Sequence, residues 1–279
     1  MTDRVVAATG GPLLQVLAGQ LPTWAKNTLR ERLRGGCVLV NGAAAVRADQ
    51  VVAVGDEIVV LPASAARRTA AAPFPIVHLD PELCAIDKPA GLLAVSSNDE
   101  RERTALALLR GWLGHGELWP AHRIDRETSG VLLFARTLAA RDAVQAAWGS
   151  VEKTYDALVE GHVEPPDGVI EQPLREDRDL RVHVGAHPDA RPARTRYRTL
   201  GRGKHRTALE LGIDTGRKHQ IRAHLAWLGF PVVGDDRYGS RDRRLCLHAR
   251  QLVVVQPVSG QSLTLNAPTP AVFAAMLRG

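Results

Sequence analysis

Residues 63–75, ASAARRTAAAPFP, divide the chain. The stretch is small, alanine-rich and closed by prolines, and it carries no hydrophobic periodicity, which is the composition of a linker. It sets two separate folding problems, residues 1–62 and residues 76–279. Hydrophobic residues make up 45% of the 279 and charged residues 24%. That is ample apolar material for a sizeable core, and it excludes wholesale disorder.

The upstream part reads as two helices followed by strands. LLQVLAGQL (13–21) is apolar at helical spacing. TWAKNTLRERLRGG (23–36) opens on Thr23 as a cap and stops at Gly35-Gly36. CVLVNG (37–42) and DEIVVLP (56–62) are short strands. The second helix carries Lys26, Arg30, Arg32 and Arg34 against Glu31. A face of that kind meets either solvent or an anionic partner.

Downstream, strands and helices mix. IVHLDPELCAIDKPAG (76–91) predicts two strands turning at Asp80-Pro81, and RTALALLRGWLG (103–114) a helix. GVLLFART (130–137) is a buried strand, and LAARDAVQAAW (138–148) a helix capped by Thr137. KTYDALVEGHV (153–163) alternates like a half-buried strand. ARTRYRTLG (193–201) and TALELGID (207–214) form a hairpin, and GRKHQIRAHLAWLG (216–229) a helix. LCLHARQLVVVQP (245–257) and SLTLNAP (262–268) return to strand before a last helix, PAVFAAMLRG. Consecutive hairpins with helices between them predict an α+β fold with a mainly antiparallel sheet, preceded by a small α/β module.

Several chemistries are poorly supported. The three cysteines have no close pair and fit neither a disulfide framework nor a zinc ribbon. There is no HExxH, no CxxC and no PCxxC. GRGKH (201–205) lacks the leading glycine and the final Ser or Thr of a phosphate loop. Ser129 sits in ETSGV, which is not the GxSxG elbow. We therefore expect neither a metal nor a cofactor. No stretch approaches 18 apolar residues and the start lacks a signal-peptide run, so the expectation is a cytoplasmic chain with no membrane partner. A net charge of +6 suggests an anionic partner.

Three segments concentrate polar residues where the pattern otherwise predicts core. In AHRIDRETSGVLLFA (121–135), Asp125 sits just ahead of the buried strand, with Arg123 and Arg126 beside it. In EKTYDALVEG (152–161), Tyr155 is an aromatic in an alternating strand. In TGRKHQIRAHLAWLG (215–229), Ile221, Leu225 and Leu228 form the core stripe, with Arg222 one step from it and His219 on the arginine's face. Loops collect charges and strands collect tyrosines without any chemistry, so each segment alone also reads as plain structure. An arginine beside the core needs an anion, and Asp125 is one candidate.

Taken together, the segments resemble the RluA family of RNA pseudouridine synthases. HRIDRETSG matches the family's HRLDxxTSG signature, with Ile124 in place of leucine. DKPAG (87–91), EKTYDALVEG, GRKHQIRAHL and LHARQL (247–252) match its other blocks in order, with Lys218 where the family usually has threonine. The order of elements in 12–62, with VNG and GDEI, resembles the alpha-L RNA-binding motif, although GPLLQVL departs from the family's basic start.

The resemblance implies a cofactor-free isomerisation of uridine in RNA. The family's catalytic aspartate falls on Asp125 and its tyrosine on Tyr155, and Arg222 is the partner that fixes the carboxylate. A carboxylate placed against the sugar acts as nucleophile, base or electrostatic partner, and a guanidinium favours its charged form and sets its direction. The detached uracil must be trapped for recombination, and Tyr155 would stack on it. The base must leave its stack, and Arg123 would enter the vacated space. His122 has a hydrogen-bonding role as its simplest reading.

Basic residues fit such a substrate. Arg194, Arg196 and Arg198 would line one strand face, with phosphate contact as the favoured reading and a solvated face as the plain one. Lys26, Arg30 and Arg34 are the corresponding residues upstream. The expected partner is ribosomal RNA, with transfer RNA as the alternative, and the expected state a monomer. Two competing functions remain open: an N-glycosidase using Asp125 with Glu127, and a non-catalytic RNA-binding or ribosome-assembly protein.

Overall fold

A computed structural model describes residues 2–278 except 35–36, 46, 63–71, 97–99, 101–102 and 114–116. Most of the expected linker and the Gly35-Gly36 helix stop lie outside the described residues. The chain divides into two compact units, residues 1–73 with 108–116, and residues 74–107 with 117–279. Among the described residues no helix is long and apolar enough to cross a membrane.

The first unit pairs strands Asp3–Val6, Glu57–Val60, Val38–Val40 and Ala43–Ala45, in that spatial order and all antiparallel. Helices Leu13–Gln20 and Lys26–Arg34 supply Leu13, Leu17, Leu29 and Leu33 to a core shared with Val38, Ile58 and Val60. The second helix starts at Lys26, three residues after the expected Thr23 cap. The reason is a tight turn, in which Trp24 N–H donates to Leu21 O at 3.0 Å and its indole N–H to Asp3 Oδ2 at 3.0 Å.

The second unit is built on one large sheet. Its central path runs Asp167–Ile170, Thr195–Arg202, Arg206–Ile213, Glu152–Glu160, Leu247–Val255, Ser129–Ala135, Leu83–Lys88 and Ile76–Leu79. All of these pairings are antiparallel except one. Ser129–Ala135 runs parallel to Leu247–Val255, opposing Ser129 to His248 and Gly130 to Ala249. Ser129–Ala135 is buried along its whole length, as a strand covered on both faces must be. Glu152–Glu160 is also more continuously buried than its alternation predicts, because it lies near the sheet's centre.

The Thr137 hydroxyl accepts from Ala140 N–H at 3.1 Å and caps helix Leu138–Ala146 as expected. The helix expected over 216–229 is shorter, Gln220–Trp227. His219 precedes it in the left-handed conformation, φ 50°, where a non-glycine residue is uncommon.

Candidate active site

Asp125 is presented by a loop that is pinned at both ends. At the near end, Ala121 N–H donates to Leu133 O, and Leu133 N–H donates to His122 Nε2, both at 3.1 Å. The His122 ring stacks on Trp148, with centroids 5.1 Å apart. Burial, with Lys153 nearby, pushes His122 down to about 4, so it stays a neutral acceptor. At the far end, the carbonyl of Arg126 accepts from Gly91 N–H at 2.9 Å and from Lys88 Nζ at 3.0 Å. Lys88 is fully buried and also donates to the carbonyls of Pro89 and Leu92, at 2.8 and 2.7 Å. Three carbonyls thus take the three N–H bonds of one ammonium, which offsets much of the cost of burying it. Burial still lowers Lys88 to about 8, against the opposing pull of Glu127 and Asp125.

The arginine expected beside the carboxylate is there, but its main partner is a different acid. Arg222 Nε and Nη2 donate to Asp235 Oδ2 and Oδ1 at 2.7 and 2.8 Å, a two-pronged pair with Asp235 fully buried. Its remaining prong, Nη1, reaches Asp125 Oδ2 at 3.4 Å. Burial disfavours the guanidinium's charge, yet Asp235 and then Asp125 outweigh it and raise Arg222 above its ordinary value. Asp235 is the site residue that sequence reasoning missed. Its signal was topological: the chain turns at Gly229 and again at Gly234, both at positive φ, so the first acid after the return meets the helix just left.

His219 Nε2 lies 3.9 Å from the same Asp125 Oδ2. Among the described residues no donor reaches Asp125 Oδ1. Tyr155 faces this group from strand Glu152–Glu160. Opposite it, strand Leu247–Val255 bulges, so that Thr154 pairs with Gln251 and Tyr155 with Ala249. A bulge kinks its strand and re-aims neighbouring side chains. Burial, reinforced by Asp125, raises the Tyr155 hydroxyl above its ordinary value, so it remains a neutral phenol.

These groups line a cavity of about 90 Å³ whose walls also include Ile124, Ile213, Ile221 and Leu247. A wider groove of about 610 Å³ shares Arg123, Asp125, Arg217, His219 and Arg222 with it. Arg123 is exposed there and makes no side-chain hydrogen bond or ion pair among the described residues. The groove also carries Arg126, Lys218 and Arg237. Lys218 is paired with Glu176. A one-carboxylate cavity with a neutral aromatic wall, opening on a groove rich in cations, suits a flat polar ring on an anionic chain.

Other sequence-predicted residues fare differently. Arg194, Arg196 and Arg198 do lie together, but each is already paired. Arg194 meets Glu171 and Asp214, Arg196 meets Asp214 at 2.7 Å, and Arg198 meets Glu210 at 2.7 Å. The basic stripe is therefore charge-compensated by acids on neighbouring segments, which the local run of sequence could not show. In the first unit, Lys26 and Arg30 are exposed, and Arg30 donates to Asn27 Oδ1 at 3.0 Å. The Arg34 side chain lies outside the described residues. Glu127, the second carboxylate of the glycosidase reading, is exposed and lines the groove but not the small cavity.

Comparison with known proteins agrees with this chemistry. Residues 82–227 match the family model described as RNA pseudouridylate synthase. The chain is 35% identical to a ribosomal large subunit pseudouridine synthase D of Nitrosomonas europaea, over 95% of this chain and 83% of that protein. It is 30% identical to the protein of the same name from Escherichia coli, over 94% and 88%. Among solved structures, human RNA pseudouridylate synthase domain containing 4 is 28% identical, with a TM-score of 0.60 over 72% of this chain and 90% of that one. The large sheet, the ordered blocks around Asp125 and these likenesses converge: the chain belongs to the RNA pseudouridylate synthase family, and it is an RNA pseudouridine synthase, an isomerase, of the RluA type.

Proposed function

We propose that this enzyme isomerises uridine in ribosomal RNA with Asp125 as its catalytic carboxylate, Tyr155 as the platform for the base and Arg222 as the group that orients the carboxylate. The reaction is internally balanced. The bond between uracil N1 and the ribose C1′ breaks, one between C5 and C1′ forms, the C5 proton is lost and N1 gains one. No oxidant, reductant or second substrate is needed. The observation that carries the assignment is the two-pronged hold of Asp235 on Arg222 through Nε and Nη2, which leaves Nη1 to face Asp125 Oδ2. Oδ1 is then the oxygen open to the ribose, whether it bonds C1′ or removes a sugar proton. The small cavity confines the freed uracil, so recombination is effectively intramolecular. Tyr155 supplies a neutral face for stacking, and unpaired Arg123 fills the gap left by the flipped base.

The ribosomal substrate rests on the names of the relatives, and transfer RNA remains the alternative substrate. For residues 1–62 we propose an alpha-L-type RNA-binding role, resting on the resemblance and on the exposed Lys26 and Arg30 of its second helix. The test is Asp125→Asn, assayed on a large-subunit ribosomal RNA transcript carrying tritium at uridine carbon 5. The isomerisation releases this tritium to water. Release should fall to background while the RNA stays bound in a filter assay. Full release by the variant would remove Asp125 from the mechanism, and free uracil from the wild type would mean a glycosidase instead.

A further inference from the structure

His219 stands at the site without a part in the mechanism so far. It lines both the cavity and the groove, its side chain is mostly buried, and it holds a left-handed backbone. Residues in such conformations persist only where surrounding structure holds them, and they cluster at functional sites. The holder here is Tyr238. Its Oη lies 2.9 Å from His219 Nδ1 and accepts from Val182 N–H at 3.2 Å. Its ring is edge-on to the imidazole and carries the Arg222 guanidinium 5.4 Å from its centroid. Tyr238 is in turn fixed by Asp235, whose Oδ1 accepts from Tyr238 N–H at 3.1 Å. One short turn, 235–238, therefore braces both groups that face Asp125.

The hydrogen-bond directions decide what His219 presents. Suppose Nδ1 carried the imidazole proton. The Tyr238 hydroxyl proton would then lack an acceptor among the described residues, and the lone pair of Nε2 would face a carboxylate. Placing the proton on Nε2 removes both penalties: the phenol donates to Nδ1, and Nε2 presents an N–H rather than a lone pair to Asp125 Oδ2, 3.9 Å away. Burial keeps the ring neutral, with Arg222, Arg237 and Lys218 adding to that effect against the pull of Asp125.

We infer that His219 is a positioning residue for the isomerisation: its Nε2–H, held by the Tyr238 hydroxyl on the Oδ2 side of Asp125, works with Arg222 to draw the carboxylate by Oδ2 and leave Oδ1 for the ribose. The inference rests on the assignment of Asp125 as the catalytic carboxylate.

The test is a double-mutant cycle in the tritium-release assay on the same large-subunit transcript. His219→Leu and Tyr238→Phe should each lower kcat by about tenfold, with KM little changed, as the loss of a polar contact to a charged group would. The double variant should fall no further than either single one, because both remove the same link. His219→Gln, which returns an N–H near the Nε2 position, should recover most of the loss. Tyr238→Phe keeps the ring under Arg222, so it decides the question if His219→Leu folds poorly. Additive losses in the double variant, no recovery by glutamine, or wild-type kcat in both single variants would each overturn the inference. Asp125→Asn is run alongside. Turnover by that variant sinks the Asp125 assignment, whereas its inactivity beside fully active His219 and Tyr238 variants sinks only the role given to His219.

Discussion

Arg222 gives two hydrogen bonds to Asp235, at 2.7 and 2.8 Å, and one longer contact, at 3.4 Å, to Asp125. The arginine is thus a fixture of its own helix and the following turn, and the carboxylate on the distant loop meets a donor already in place. Such preorganisation lets a site orient a reactive group without paying for its ordering at each turnover.

Removing the fixture should therefore cost both stability and activity. Asp235→Ala leaves a buried guanidinium half-paired and should destabilise the fold by about 3–5 kcal/mol. Asp235→Asn keeps the volume and one acceptor, so it should be less destabilising while still lowering turnover. Urea unfolding and tritium release measured on both variants check this. An Asp235→Ala protein as stable and active as wild type would mean that Arg222 needs no anchor.

Gly130 sits where the one parallel pairing on the central path begins, at φ 113°, and an added Cβ would lie 2.2 Å from Ala249 O. Both the backbone angle and the contact forbid a side chain. Gly130→Ala should cost about 3 kcal/mol or more, since the strands must separate or the backbone must move. It should also depress activity, because Gly130 lies five residues from Asp125. The urea midpoint reads the effect, and an unchanged midpoint would contradict the close approach.

Acid should weaken the catalytic unit through His122. In the unfolded chain this histidine takes a proton near its ordinary 6.5, but in the fold only near about 4. Between those values the unfolded state binds more protons, so stability rises with pH across the window and is lost as pH falls from about 6.5 towards 4. His219, His224 and His248 are shifted downward by burial as well and act in the same sense. Replacing His122 by glutamine, which still offers an oxygen to Leu133 N–H, should flatten the dependence by up to one proton. Urea midpoints at pH 5 and pH 7 for both proteins measure it, and equal pH dependences would show that His122 binds its proton equally well in the fold and in the unfolded chain.

Salt dependence should separate free cations from paired ones. Each phosphate neutralised contributes about 0.7–0.9 to the slope of log affinity against log salt. Lys26→Ala with Arg30→Ala should reduce that slope by roughly one to two, if both meet phosphates. Arg196→Ala should leave it unchanged, because Asp214 already compensates that charge. Filter binding of the large-subunit transcript across a salt series gives the slopes. A drop on Arg196→Ala would mean that RNA displaces the carboxylate.

What the residue order determined by itself was local or combinatorial. Asp80-Pro81 turns two strands, Thr137 caps a helix, and an unbroken apolar run at 130–135 demands burial on both faces. The blocks around Asp125, Tyr155 and Arg222 together named the family and the candidate site. What the tertiary structure decided was which charges meet. Arg222 found Asp235 rather than relying on Asp125, and Arg194, Arg196 and Arg198 found Glu171, Asp214 and Glu210. Helix 216–229 lost its first turn to a left-handed His219. The reason is common to all of these. Hydrophobic periodicity is a property of neighbouring residues, whereas an ion pair or a strained φ is settled by whatever distant segment packs against it, and that depends on the whole sheet.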